Sequence, residues 1–265
     1  MRGLKAYAAG LALVGGLWFF GVAWPLSEGY PGLLNWLGDR IIAEQEPRFD
    51  RSGLHAELAA AGFALGDPVH IRIFKQERRL DVWMQKAGGR YALFKTYPIC
   101  NYSGELGPKL SEGDHQAPEG YYRIAQAQLN PNSRHHLAFN LGFPNAFDRQ
   151  LDRTGSALMV HGGCSSVGCY AIGDANVDEV YAVVEAALKA GQREVDVAAY
   201  PFEMSEQRFA ALRAGKWDGF WRNLKVGADL FERDGAPPKV AACRGEYRFG
   251  DDAEGEGCVP ITGWA

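Results

Sequence analysis

Residues 159–174, MVHGGCSSVGCYAIGD, place one histidine, two cysteines, two serines and four glycines in a single short loop. The apolar run 156–160 (SALMV) before it reads as a buried strand ending at His161, and Gly162 and Gly163 make a turn. After it, 176–191 (NVDEVYAVVEAALKAG) reads as a helix, with Asn176 as its cap, Asp178 and Glu179 at its positive end and Gly191 at its stop. A thiolate is a nucleophile, a metal ligand or half of a disulfide, and this loop alone admits all three uses. If it curls back, the His161 imidazole takes the proton of Cys169 and leaves an ion pair, while Gly168 lets backbone N–H groups near the thiol face an anionic oxygen. His161, Cys164 and Cys169 also follow zinc-ligand spacing, but no fourth ligand lies nearby in sequence. A Cys164–Cys169 disulfide, or two structural thiols, is the third use.

The remaining chain narrows the choice. Hydrophobic residues make up 47% and charged residues 23% of the 265 residues, the balance of a soluble globular chain. A net charge of −4 without any basic tract excludes a dedicated nucleic-acid binder. No Walker loop or dinucleotide fingerprint is present, and neither cofactor nor metal is expected. At the N-terminus, Arg2 and Lys5 precede an uncharged apolar run over 6–26, which as a helix reaches roughly 30 Å, the thickness of a bilayer core. The expectation is a signal or membrane anchor over 1–27, with the rest of the chain outside the inner membrane in the periplasm. That compartment is oxidising. Of the five cysteines, Cys243 and Cys258 bracket a polar, Gly-rich tail, where a disulfide adds about 3 kcal/mol in the chain-entropy model. Cys100, Cys164 and Cys169 form an odd set, so at least one thiol stays free unless it pairs with another chain.

Outward from the loop the organisation is legible. Residues 28–67 alternate short helical patterns with Pro and Gly breaks, as a helical stalk or cap does. Over 68–99, Val69, Ile71 and Ile73, then Leu80, Val82 and Met84, alternate with polar neighbours, and a Gly-Gly turn leads into a further β-rich run, giving an antiparallel meander. Residues 101–120 form a long surface loop, 194–202 (EVDVAAYPF) a strand, and 204–235 a helical region rich in Trp and Phe. His70, His115, His135 and His136 read as surface or loop residues, and His55 sits in a helical stretch without a partner of note. The fold expected is α+β, mainly β, with a catalytic domain over 68–200 and a helical extension ending in a disulfide-closed tail over 201–265.

Three stretches together resemble the YkuD-type L,D-transpeptidase catalytic domain in its YafK-like branch: HIRIFKQERRLDVW (70–83), LGPKLSEGDHQAPEGYYRI (106–124) with its Pro-x-Gly-x-Tyr element, and MVHGGCSSVGCYAIGD (159–174). The resemblance covers roughly 68–200. It implies a mixed β-sheet or β-sandwich core with flanking helices, Cys169 as nucleophile rather than Cys164, and His161 as its acid-base partner. The substrate it implies is the stem peptide of peptidoglycan, attacked at the carbonyl on the L-centre of diaminopimelate through a Cys169 thioester. An amine acceptor then gives transpeptidation, and water gives an amidase that detaches a peptide or a linked envelope protein. Ser165, Ser166, Gly162 and Gly168 are candidates around the oxyanion, and Lys109 for a substrate carboxylate. Asp174 is expected to order the helix entry. The sequence departs from much of the family in a shorter His-to-Cys interval, in Val167 where a second histidine often stands, and in Tyr170 where arginine or asparagine often follows the cysteine. A non-catalytic peptidoglycan-binding protein on the same fold is the alternative.

Overall fold

Alternating apolar side chains build three sheets in the computed structural model, which describes residues 49–211 and 215–264. Helix α1 (Arg51–Ala60), capped by the Asp50 carboxylate on the Ser52 N–H at 2.9 Å, leads into β1 (Val69–Phe74), β2 (Arg79–Gln85), β3 (Tyr91–Pro98) and the short β4 (Asn101–Tyr102). The loop after β4 ends in β5 (Gly120–Ile124), followed by the hairpin β6 (Leu129–Ser133) and β7 (His136–Asn140) and by α2 (Ala146–Gln150). Strands β8 (Met159–His161) and β9 (Tyr170–Ala171) flank the Cys/His loop, and α3 (Asp174–Lys189) precedes β10 (Val195–Tyr200). Helices α4 (Glu206–Ala211) and α5 (Asp218–Asp234) and strands β11 (Val240–Cys243), β12 (Glu246–Phe249) and β13 (Cys258–Pro260) complete the fold.

The first sheet runs β3-β2-β1-β10-β5 and the second β4-β9-β8-β7-β6; in each a single pair, β1 with β10 and β8 with β9, is parallel. Successive strand residues face opposite sides, so Val69, Ile71 and Ile73 of β1 enter one core with Val160, Tyr170 and the apolar face of α3. Phe74, Ala198 and Tyr200 enter a second core with α5 and the third sheet, β12-β11-β13.

That second core corrects one expectation. The polar positions of β1 are not a solvent face: His70 and Arg72 are buried, the latter with its guanidinium 4.9 Å from the Phe231 ring and 2.6 Å from Glu232. The tail, expected as a polar, disulfide-closed segment, is a sheet of its own. The three-stranded sheet pairs Cys243 directly with Cys258, and a disulfide joins them. Helix α3 begins two residues before Asn176, with Gly173 at its cap; Asn176 instead donates from Nδ2 to the Ile172 carbonyl at 2.7 Å. The proposed anchor over 1–27 and the stalk as far as residue 48 lie outside the described residues. Among the described residues no helix is long and apolar enough to cross a membrane.

Candidate active site

The parallel pairing of β8 with β9 sets Val160 beside Tyr170 and His161 beside Ala171, so the loop between them leaves the end of β8 and must run back to the level at which β8 began. His161 closes β8 and Cys169 stands immediately before β9, level with Met159 in this register, so the two lie two residues apart along the pair and face the same cleft. Glycines permit the reversal: Gly163 has φ 63° and Gly168 φ 94°, conformations that cost an L side chain energy. At Gly162 a Cβ would approach the His135 carbonyl to 2.8 Å. Asp174, the first residue of α3, accepts from the Gly163 N–H at 2.6 Å and pins the turn to the helix. A Cys100–Cys164 disulfide, with Cα atoms 5.4 Å apart, ties the loop to the start of β4, leaving Cys169 the one free cysteine of the described residues. The pairing of Cys164 with Cys169 does not occur, and no cluster of metal-ligating side chains is present among the described residues.

A cleft of about 590 Å³ opens beside Cys169 and His161. Ser165, Ser166 and Val167 line it from the loop, and Asn130, Asn132, Ser133, Arg134 and His135 from the β6–β7 hairpin. Imidazole Nδ1 of His161 lies 2.6 Å from the Gly162 carbonyl. A carbonyl only accepts, so Nδ1 carries the proton and Nε2 is left with its lone pair, as a general base requires. Burial holds the His161 pKa below its ordinary value; the Gly162 bond opposes this, and the charge of nearby His135 adds to it. Burial likewise pushes the Cys169 thiol up. Both shifts favour the neutral thiol and imidazole over the ion pair.

The hydroxyls around Cys169 already occupy the backbone donors beside it. Ser166 Oγ accepts from the Cys169 N–H at 3.1 Å and donates to the Cys169 carbonyl at 2.7 Å, and Ser103 Oγ accepts from the Gly168 N–H. Lys109 stands elsewhere. It is buried, donating to Asp114 at 2.5 Å and to the Ser111 carbonyl at 2.8 Å, and it does not line the cleft. The reason is local: Asp114 also accepts the N–H groups of Leu110, Ser111 and Gln116, so its carboxylate draws the lysine into the loop's own interior. The hairpin residues of the cleft escaped the sequence reading, His135 and Arg134 among them. His135 stacks on His161 with ring centroids 4.6 Å apart, and Arg134 precedes it at the hairpin turn. A histidine in a polar turn carries no signal of the strand it will face.

Comparison with known proteins places the sequence in a family. The model of the L,D-transpeptidase catalytic domain, YkuD, matches residues 68–197. The YafK protein of Escherichia coli K12, provisionally named an L,D-transpeptidase, is 45% identical over 183 residues, covering 69% of this chain and 74% of that protein. Among solved structures, the helical cell shape determining protein Pgp2 from Campylobacter jejuni aligns at 20% identity with a TM-score of 0.41, over 68% of this chain and 64% of that one. L,D-transpeptidase 1 of Mycobacterium tuberculosis aligns at 14% identity and a TM-score of 0.27, over 52% and 64%. The chain thus spans a little under two thirds of the length of those solved structures. On the strength of the relative from Escherichia coli, the chain belongs to the YkuD family of L,D-transpeptidase catalytic domains.

Proposed function

We propose that this protein is a cysteine acyltransferase of the bacterial envelope that acts on peptidoglycan stem peptides. The observation that carries the reading is the pairing at one cleft of a free thiol, Cys169, with an imidazole, His161, whose Nε2 is kept unprotonated by the bond from Nδ1–H to Gly162. Sγ attacks the carbonyl on the L-centre of diaminopimelate, and the thiol proton passes to Nε2. Collapse breaks the C–N bond, leaving a thioester on Cys169, and the same proton goes to the departing amine. An incoming amine or water then attacks the thioester, losing a proton through Nε2 to Sγ. Starting from neutral groups suits this sequence, since proton transfer and attack proceed together and no charge is stored in the half-buried site beforehand. The N–H groups of Gly168 and Cys169 receive the developing oxyanion once the Ser103 and Ser166 hydroxyls give way. An N-terminal anchor or signal over residues 1–27 places this chemistry in the periplasm.

Mass spectrometry of diaminopimelate-containing muropeptides incubated with the full chain, beside Cys169→Ala, tests the reading. Wild type is expected to give either new cross-linked species, the mark of a transpeptidase, or loss of the group on the L-centre carbonyl, the mark of an amidase that detaches a linked peptide or protein. Identical products from wild type and variant, on every substrate offered, sink the acyltransferase and leave a binding protein on the same fold.

A further inference from the structure

Arg134 is the one arginine or lysine of the described residues that lines the cleft. Arg72, Arg123, Arg153, Arg208, Lys75 and Lys95 all hold carboxylates, whereas Arg134 has no ion pair or hydrogen bond among the described residues. It lines the cleft that holds Cys169 and His161. Its place there is fixed from both sides. The Ser133 hydroxyl accepts from the His135 N–H at 3.0 Å, and His135 stacks on His161. His136, in the left-handed region at φ 67°, is bonded through Nε2 to Asp178 of α3 at 2.7 Å. The backbone that carries Arg134 is therefore held while its guanidinium stays uncommitted. No aspartate or glutamate of the described residues lines the cleft, although the chain as a whole is acidic at −4.

We infer that Arg134 is a specificity-determining binding residue that takes a carboxylate of the acyl donor, and that the site selects stem peptides with a free acid over their carboxamides. The inference rests on the stem-peptide reading of the cleft. A planar guanidinium grips a carboxylate through two parallel N–H···O bonds, and a carboxamide of the same shape offers one acceptor and no charge. On the acyl side of the reacting carbonyl a stem peptide presents two such acids: the α-carboxylate of its D-glutamyl residue and the D-centre carboxylate of diaminopimelate. Lys109, the sequence's candidate for this task, is committed to Asp114. Arg134 takes its place.

The test is calorimetric binding to the full-length Cys169→Ala chain, which cannot turn the ligand over. Four synthetic stem peptides are compared: both acids free, each amidated singly, and both amidated. Amidating one acid is expected to weaken binding about 10- to 100-fold, the range of a charge-assisted bond, and the singly amidated peptides identify which acid is held. In Cys169→Ala with Arg134→Gln, the free-acid peptide should bind as weakly as its amide does to the parent, and amidation should change nothing further. Equal affinity of the parent for all four peptides overturns the inference, and so does an Arg134→Gln chain that still discriminates acid from amide. The peptide comparison needs no change at Arg134, so a folding defect in that variant leaves it intact. Failure of the thioester reading would show separately, as absence of product from the chain with Cys169.

Discussion

In the proposed mechanism His161 accepts the proton of Cys169 only while Nε2 is free, so the acidic limb of kcat/KM is expected to report its pKa in the free protein. Burial lowers that pKa from 6.5, and the charge of His135, stacked 4.6 Å away, lowers it further. A lowered pKa keeps the imidazole neutral into more acidic solution, so the wild-type limb falls below pH 6.5. Replacing His135→Asn removes the smaller contribution and leaves the burial. The limb should therefore move to higher pH without returning to 6.5, a shift that a pH–rate profile of the two proteins resolves; an unmoved limb would show that the stack is packing alone. His161 and Cys169 were legible because they lie in one contiguous loop whose glycines announce a reversal. Arg134 and His135 were not, because they reach the cleft through the pairing of β7 with β8, where Ala138 lies opposite His161. Alternation of side chains marks a strand; it does not say which strand comes to lie beside it.

At the scale of the element, the loop between β8 and β9 is held at three points: Asp174 on the Gly163 N–H, Ser103 on the Gly168 N–H, and the Cys100–Cys164 disulfide. The odd cysteine count announced a free thiol. The partner of Cys164 was hidden, because a sequence separation of 64 is closed only once Asn101 and Tyr102 of β4 pair with Ala171 and Tyr170 of β9. In the chain-entropy model, a disulfide closing a loop of that length stabilises by about 4 kcal/mol. Cys164 sits five residues before Cys169, so its tether also limits where the Cys169 Sγ can stand. The Cys100→Ser, Cys164→Ser double variant should lower the urea midpoint. At temperatures where it remains folded, it should also lose about tenfold in kcat with KM changed less, since a looser loop spends less time in the reacting geometry. Unchanged kcat in the folded variant would confine the disulfide to stability.

The largest gap between sequence and structure lies at the scale of the molecule. The sequence distinguished a β-rich stretch from a helical region after residue 200, and the alternation in β1 implied a sheet with one face in water. Yet α5 and the third sheet lie against that outer face, which is why His70 and Arg72 are buried. The joint is polar as well as apolar. Glu119, fully buried in the Pro-x-Gly-x-Tyr element, accepts from Lys75 at 3.1 Å, from the Gly107 N–H at 2.7 Å and from the Trp221 indole of α5 at 2.9 Å. Periodicity could not show this, because each partner looks like an ordinary surface residue until the elements meet. The residues after 200 are therefore part of the core, and Phe231 tests it. Its ring lies 4.9 Å from that of His70 and 5.1 Å from that of Trp83, both on the first sheet. Phe231→Ala should cost about 3–5 kcal/mol through the lost burial and the cavity left behind. If the extension and the sheets unfold together, circular dichroism and tryptophan fluorescence should follow one urea transition with a common, lowered midpoint. Were the extension an independent appendage, the fluorescence of Trp217 and Trp221 would shift early while the sheets kept the wild-type midpoint, and the two probes would separate.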